Sequence, residues 1–202
     1  MTHLAIFVSG GGTNCENIIR YFKDSSEVSV DIVVSSRADA YALTRAERLG
    51  VPTAVITGKQ FRENPGLVLD TVKGCDYVIL AGFLVLVPEY LIERFPDRII
   101  NIHPALLPKY GGKGMWGHHV HEAVKAAGEK ESGITIHYVN SEYDSGQIIA
   151  QFKTVLSPED TPEDIEAKVH VLEMANFPQV IESVVRGRKP YASSAENAVS
   201  AK

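Results

Sequence analysis

The chain has 202 residues, of which 45% are hydrophobic and 22% charged, and its 20 basic and 25 acidic side chains give a formal net charge of -5. These are ordinary values for a globular protein, and they exclude a disordered, collagen-like or repeat chain. The acidic balance argues against nucleic acid as a partner, because proteins that bind phosphate backbones carry a basic excess.

The cysteine count and the hydrophobic runs bear on the compartment. Cys15 and Cys75 are too few for a disulfide framework and lack metal-ligand spacing, which fits a reducing environment. The first residues lack the positively charged segment with which a signal peptide begins. The longest apolar run is broken by Gly82 and Pro88 and is shorter than the roughly 20 residues of a membrane-spanning helix. We therefore expect a cytoplasmic protein with no membrane partner.

Short β-rich runs alternate with helical patterns along the first half of the chain. The predicted strands are Leu4–Val8, Val28–Ser35, Thr53–Ile56, Tyr77–Leu80 and Arg98–Ile102. The predicted helices are one that carries Ile18, Ile19 and Phe22, then Ala38–Leu49, Gln60–Lys73 with Pro65 inside it, and Glu89–Arg94. This alternation predicts parallel strands joined by right-handed crossovers.

The second half of the chain shows a different pattern. Ile134–Asn140 alternates between apolar and polar residues, and Gln147–Thr154 follows after a short turn, which predicts an antiparallel hairpin. A long helix is predicted from Pro162 to about Val185, with Thr161 as its N-cap and a kink or break at Pro178.

Together these elements predict an α/β fold: a Rossmann-like mixed sheet with a parallel N-terminal half, an added C-terminal antiparallel hairpin and helices on both faces. Residues 1–185 are predicted to form a single domain. Residues 186–202 are polar, small and aperiodic, and we expect them to form a flexible tail.

The turn Ser9–Asn14 joins the first strand to the first helix and contains three consecutive glycines. It could be a tight turn without a ligand. Dinucleotide binding is a second interpretation, but Cys15 stands where that motif has its third glycine. The interpretation we favour is a site for one phosphate group of a mononucleotide-like substrate, because glycines admit an anion to the free amides of the helix start.

Two polar side chains close the fifth strand. Asn101 and His103 are two residues apart, so on a strand they point to the same side. An amide can donate to a developing oxyanion, and an imidazole can carry a proton near neutral pH. Asp144, in the turn of the predicted hairpin, could orient His103. The simpler interpretation is that Asp144 supports its own turn and that Asn101 caps its loop.

The segment Asn101–Pro108, with the sequence NIHPALLP, resembles the signature of folate-dependent formyltransferases. Further similar blocks, in the same order, are Ser9–Asn14, Leu80–Phe83, Asp144–Gly146 and Glu173, so that the resemblance covers residues 1–185. Within the family, the similarity is to members that formylate glycinamide ribonucleotide in purine biosynthesis. The resemblance implies 10-formyltetrahydrofolate as the co-substrate, no metal, and a monomer or homodimer.

The resemblance also implies roles for individual residues. The catalytic residues would be Asn101, His103 and Asp144. The ribonucleotide phosphate and ribose would be bound by Gly10, Gly11, Gly12, Thr13, Asn14 and Glu173. The folate would be bound by Phe83, Leu84, Val85, Leu86 and Val87 and by Asn140, Ser141 and Glu142.

Two features depart from the family pattern. Bacterial relatives often carry an arginine where Val85 aligns, so one folate contact differs. The segment Gly111–His121 is several residues longer than in many members, and its glycines predict a mobile loop over the site. His118 aligns there with a histidine on the substrate side, although the added residues leave this alignment open.

Other functions agree less well with the sequence. His118, His119, His121 and Glu122 suggest zinc but do not form the His-Glu-x-x-His motif. We expect His3, His137 and His170 to be structural or exposed. A transfer-RNA formyltransferase carries a further C-terminal domain, and a formyltetrahydrofolate hydrolase carries a further N-terminal one. A non-catalytic phosphate-binding module would have no reason to pair Asn101 with His103.

Overall fold

A computed structural model describes residues 1–187 of the chain. Its centre is a seven-stranded sheet in the order β3-β2-β1-β4-β5-β6-β7. The strands are β1 (Thr2–Val8), β2 (Val28–Ser35), β3 (Thr53–Val55), β4 (Tyr77–Leu80), β5 (Ile99–His103), β6 (Glu131–Tyr138) and β7 (Ile148–Val155). The fold class predicted from the sequence is confirmed.

One strand of the sheet, β6, runs opposite to the other six. The pairs among β1 to β5 are all parallel, whereas β6 runs antiparallel to β5 and to β7. The register of β5 against β6 sets Asn101 opposite His137 and His103 opposite Thr135. The predicted hairpin therefore continues the sheet beside the strand that carries the two polar residues.

Seven helices connect or follow these strands in the described part of the chain. They are α1 (Thr13–Phe22), α2 (Tyr41–Arg48), α3 (Gly58–Glu63), α4 (Pro65–Thr71), α5 (Glu89–Arg94), α6 (His118–Ala126) and α7 (Pro162–Val185).

Alternate residues of the central strand β1 face two separate cores. Leu4, Ile6 and Val8 are completely buried in one core, together with apolar residues of α1 and α7. Ala5 and Phe7 are completely buried in the other core, against α3, α4 and α5. A strand covered on both sides explains why this segment is uniformly apolar rather than alternating.

Three helices differ from the prediction. The single helix predicted over Gln60–Lys73 is two short helices, because Asn64 caps α4 and Pro65 is its first residue, where a missing N–H does no harm. The predicted kink or break at Pro178 does not divide α7, which is one helix of 24 residues. Helix α6 was not predicted, since its first residues have the composition of a loop.

No helix within residues 1–187 is long and apolar enough to cross a membrane. The predicted flexible tail lies, from residue 188 onward, outside the described residues.

Candidate active site

A cleft of about 910 Å³ opens at the carboxyl ends of the parallel strands, between α1, the segment before α6, and α7. This is the edge at which doubly wound sheets bind ligands. Among the residues with predicted roles, the cleft is lined by Gly10, Gly11, Gly12, Thr13, Asn14, Phe83, Leu84, Asn101, His103, Asp144 and Glu173. The fold thus brings together all three predicted catalytic residues and every predicted ribonucleotide-binding residue.

The glycine turn is held against α2. Gly12 is the N-cap of α1 with φ +78°, and a Cβ atom there would lie 2.4 Å from the Cβ atom of Ala42. The Ala42 amide donates to the Gly10 carbonyl at 3.1 Å, and Arg45 Nε donates to the Gly11 carbonyl at 2.9 Å. No side chain caps α1, so the amides of its first turn are free for an anion.

Asn14 and Glu173 meet across the cleft. Asn14 Nδ2 donates to Glu173 Oε2 at 3.0 Å, and Asn14 Oδ1 is buried without a partner. His170 Nδ1 lies 3.1 Å from the same carboxylate oxygen, and this hydrogen bond raises the pKa of His170. The amide group of Asn14 is engaged with Glu173, while its backbone N–H belongs to the first turn of α1.

Asn101 is oriented by a histidine of the neighbouring strand. Asn101 Nδ2 lies 3.1 Å from His137 Nε2, and His137 Nδ1 lies 2.8 Å from the Tyr138 carbonyl oxygen. A carbonyl only accepts, so Nδ1 of a neutral His137 ring carries the proton and Nε2 accepts from Asn101. The second N–H of the Asn101 amide is left for a ligand.

His103 is buried, with 4% of its surface exposed. Its Nε2 donates to the Tyr110 carbonyl at 2.7 Å, and its Nδ1 lies 3.5 Å from Asp144 Oδ2. Burial lowers the pKa of His103 below its usual value, and Asp144 and the Tyr110 carbonyl oppose that shift. Burial therefore favours the neutral ring, and Asp144 is the main group that favours the charged one.

Asp144 points from the hairpin turn into the site, with φ +52°. Besides facing His103, it accepts from the Gly112 amide at 3.0 Å and lies 3.7 Å from His137 Nε2. Burial raises the pKa of Asp144, but His137, His103 and the Gly112 amide lower it by more, so the carboxylate is the favoured form.

The bonds that shape this turn come from another residue. Asn140 Oδ1 accepts from the Glu142 amide and from Ser145 Oγ. The simpler interpretation of Asp144, as a support of its own turn, therefore does not describe its side chain.

Of the residues predicted to bind folate, Phe83 and Leu84 line the cleft, and the other six do not. Leu84 and Leu86 are exposed, Phe83 and Val85 are half-buried, and Val87 is buried. Asn140, Ser141 and Glu142 are exposed on the hairpin turn, next to Tyr143 and Asp144, which do line the cleft.

Sequence reasoning missed two histidines of the cleft, His121 and His170. His121 is 3% exposed, its Nδ1 has no partner, and burial lowers its pKa. His170 stands three residues before Glu173 on α7, so the helical spacing alone indicated a shared face.

The side chains of His118 and His119 have different partners and do not meet. His118 bonds Glu166 at 2.9 Å, and His119 bonds Glu122 at 3.1 Å and packs edge-on against Trp116. His118 is thus tied to α7 by a carboxylate, while Trp116 and the residues from Gly112 to Gly117 line the cleft. Within residues 1–187, no group of three or more His, Cys, Asp or Glu side chains is arranged to hold a metal ion.

Residues 2–181 match the family model described as formyl transferase. The chain is 36% identical over 196 residues to a phosphoribosylglycinamide formyltransferase of Haemophilus influenzae, covering 93% of this chain and 89% of that protein. It is 40% identical over 193 residues to the chloroplastic phosphoribosylglycinamide formyltransferase of Arabidopsis thaliana, covering 92% of this chain and 66% of that protein.

Solved structures of similarly named proteins are also similar to this chain. The glycinamide ribonucleotide transformylase 1 of Symbiobacterium toebii is similar with a TM-score of 0.85 and 31% identity, covering 93% of this chain and 89% of that one. The phosphoribosylglycinamide formyltransferase of Bacillus halodurans is similar with a TM-score of 0.82 and 31% identity, covering 98% of both chains.

Proposed function

Because the chain belongs to the formyl transferase family, we propose that it transfers a formyl group from 10-formyltetrahydrofolate to the amine of glycinamide ribonucleotide. The products are formylglycinamide ribonucleotide and tetrahydrofolate, and the step belongs to purine biosynthesis. The observation that carries this proposal is the meeting of Asn101, His103 and Asp144 in a cleft that also contains an anion-binding helix start.

The ribonucleotide is expected to bind between α1 and α7. Its phosphate lies on the turn Gly10–Asn14, where backbone amides and the positive end of α1 favour an anion. The ribose hydroxyls donate to Glu173, a carboxylate already fixed by Asn14 and His170. These two anchors direct the amine of the substrate toward β5.

The folate is expected to occupy the other end of the cleft, as the co-substrate and formyl donor. Its flat ring packs on the apolar segment from Phe83 to Val87 and against the backbone of Asn140, Ser141 and Glu142. Phe83 and Leu84 already line the cleft. The formyl group then reaches the side chains of Asn101 and His103.

In the reaction, the neutral amine attacks the formyl carbon, and the carbonyl oxygen gains negative charge. The free N–H of Asn101 donates to this oxygen, and the positive charge of protonated His103 stabilises it. The bond between the formyl carbon and the folate nitrogen then breaks. Because only a neutral amine attacks, the rate is expected to fall at acidic pH.

One proton must move from the attacking amine to the leaving folate nitrogen. Asp144 is ionised and faces His103, so it can accept this proton through water and return it to the folate. In the structure, Nε2 of His103 is occupied by the Tyr110 carbonyl. A direct bond from Nε2 to the formyl oxygen therefore requires that this backbone bond open when substrates bind.

The test is an assay with glycinamide ribonucleotide and 10-formyltetrahydrofolate that follows both loss of the folate formyl group and formation of formylated ribonucleotide. We expect tetrahydrofolate and formylglycinamide ribonucleotide to form in equal amounts, and only when glycinamide ribonucleotide is present. Release of formate without formylated ribonucleotide would indicate a hydrolase and overturn the proposal. A His103→Ala variant that kept full turnover would overturn the assigned role of that residue.

We also propose that residues 1–185 act as one formyltransferase domain and that the protein works in the cytoplasm on small-molecule substrates. The domain proposal is supported by the single sheet and by the one cleft that strands and helices from both ends of the described residues line together. The compartment is supported by Cys15 and Cys75, which are both buried and free.

A further inference from the structure

One face of α1 is fastened to α7 by three side chains. Asn14, Asn17 and Tyr21 follow a spacing of three and four residues, which places them in one stripe of the helix. Asn14 Nδ2 donates to Glu173, Asn17 Nδ2 donates to the Met174 carbonyl at 2.8 Å, and Tyr21 Oη donates to Glu182 at 2.7 Å. The stripe thus contacts α7 beside the proposed ribose-binding carboxylate.

The bond from Asn17 to the Met174 carbonyl is unusual, because a backbone carbonyl inside a helix normally accepts from the N–H four residues later. For Met174 that position is Pro178, which has no N–H. A proline there would leave the Met174 carbonyl without its helical donor. Asn17 supplies the donor from another helix, which accounts for an α7 that continues through Pro178.

We infer that Asn17 is a positioning residue for Glu173, and that it acts through the carbonyl that Pro178 leaves free. The inference rests on the proposed function, since it assigns Glu173 to the ribose. Met174 follows Glu173 directly in α7, so a bond to its carbonyl fixes the backbone from which the carboxylate projects. Asn14 on the same stripe fixes the carboxylate itself.

The bond therefore links two anchors of one substrate. Helix α1 starts at the phosphate-binding turn, and α7 carries the ribose-binding group. The distance between these anchors must match the distance between phosphate and ribose hydroxyls, because a misplacement of about 1 Å weakens such a match strongly. Loss of Asn17 should therefore affect the ribonucleotide and spare the folate.

The first experiment compares Asn17→Ala with Asn176→Ala. Asn176 Nδ2 also donates to a backbone carbonyl, that of Leu172 at 2.7 Å, but within α7 alone. We expect Asn17→Ala to raise KM for glycinamide ribonucleotide about 10-fold, with kcat and KM for 10-formyltetrahydrofolate within about 2-fold of wild type. Asn176→Ala should leave all three unchanged. Equal KM values for the ribonucleotide in both variants would overturn the inference.

The second experiment separates positioning from stability. In the double variant Asn17→Ala with Pro178→Ala, the new N–H at position 178 bonds the Met174 carbonyl within the helix. The melting temperature should recover toward wild type, whereas KM for the ribonucleotide should stay raised, because the bond from Asn17 of α1 to the Met174 carbonyl of α7 is still missing. If KM recovered together with the melting temperature, Asn17 would have only a structural role.

The same measurements distinguish the two proposals. Absence of ribonucleotide-dependent turnover in the wild-type protein would overturn the proposed function and the assignment of Glu173 with it. Normal wild-type turnover combined with an unchanged KM in Asn17→Ala would overturn only the positioning role. A melting temperature equal to wild type in Asn17→Ala would show that the bond to the Met174 carbonyl does not form.

Discussion

At the scale of single residues, the chemistry proposed for the cleft depends on the pair His103 and Asp144. The ring is buried, and burial favours its neutral form, so the neighbouring carboxylate decides how much of it is protonated at neutral pH. Burial thus lowers the pKa of this ring, and the charge of Asp144 opposes that shift.

Asp144→Asn should therefore lower the pKa of His103 further and reduce kcat by about 10²-fold or more, because it removes both the stabilising charge and the proton acceptor. The pKa of His103 is measured by NMR titration of the ring, and kcat by the transfer assay. An unchanged ring pKa in the variant would contradict the assigned pairing, even if kcat fell.

The glycine turn gives a second prediction at this scale. Gly12→Ala puts a Cβ atom 2.4 Å from that of Ala42 at a residue with φ +78°, and should reduce the free energy of unfolding by about 1–3 kcal/mol. Gly10→Ala is the matched control, since a Cβ atom there meets nothing within 4 Å. Urea denaturation of both variants measures the difference, and equal midpoints would argue against the close contact with α2.

Residue types and spacing on the strand were enough to predict that Asn101 and His103 share a side. The place of Asp144 beside them followed from the family resemblance, because the residues alone left a simpler interpretation open. The sequence did not reveal His137 as the partner of Asn101, because that contact depends on the register of β5 against β6. His121 was also missed, since burial of a histidine in a loop-like segment leaves no pattern in the chain.

At the scale of elements, the parallel strands and the hairpin followed from their hydrophobic patterns, but two helices show the limits of such patterns. Pro65 lies at the start of α4, where proline is favoured, rather than inside one long helix. Pro178 is tolerated within α7 because Asn17, distant in sequence, bonds the carbonyl it leaves free. Only tertiary structure could supply that partner.

The long helix α7 also depends on its N-terminal cap. Thr161 Oγ1 accepts from the Asp164 amide at 3.2 Å, and the Asp164 carboxylate accepts from the Thr161 amide at 2.9 Å. Thr161→Ala should cost about 1 kcal/mol of unfolding free energy, while Thr161→Ser keeps the hydroxyl and should stay within about 0.5 kcal/mol of wild type. Chemical denaturation checks both, and equal losses would refute the capping role.

At the scale of the whole molecule, two buried histidines make stability depend on pH. Burial lowers the pKa of both His103 and His121 below the ordinary value of 6.5, so the unfolded chain binds protons at a higher pH than the native one. Their stabilising contribution is complete above pH 6.5 and is lost as the pH falls through the native pKa values. We expect these two groups to decrease the free energy of unfolding between pH 7 and pH 5, against the opposite contribution of His118 and His170, whose carboxylate partners raise their pKa.

Substitution His121→Gln should make this decrease smaller, because it removes one of the two groups. The exposed His119→Gln serves as its control, since His119 is 60% exposed. Urea denaturation at several pH values measures the slope. The same slope in both variants would mean that the burial of His121 does not contribute.

The reversal of strand direction at β6 has a consequence for the order in which the molecule forms. Strands β1 to β5 carry the glycine turn and the Asn101 and His103 pair, but without the hairpin β5 exposes an unpaired edge. The edge is covered when β6 (residues 131–138) pairs with β5. The turn of the same hairpin places Asp144 beside His103. Pairing of the hairpin with β5 therefore both covers an edge that could pair with another chain and brings Asp144 to His103.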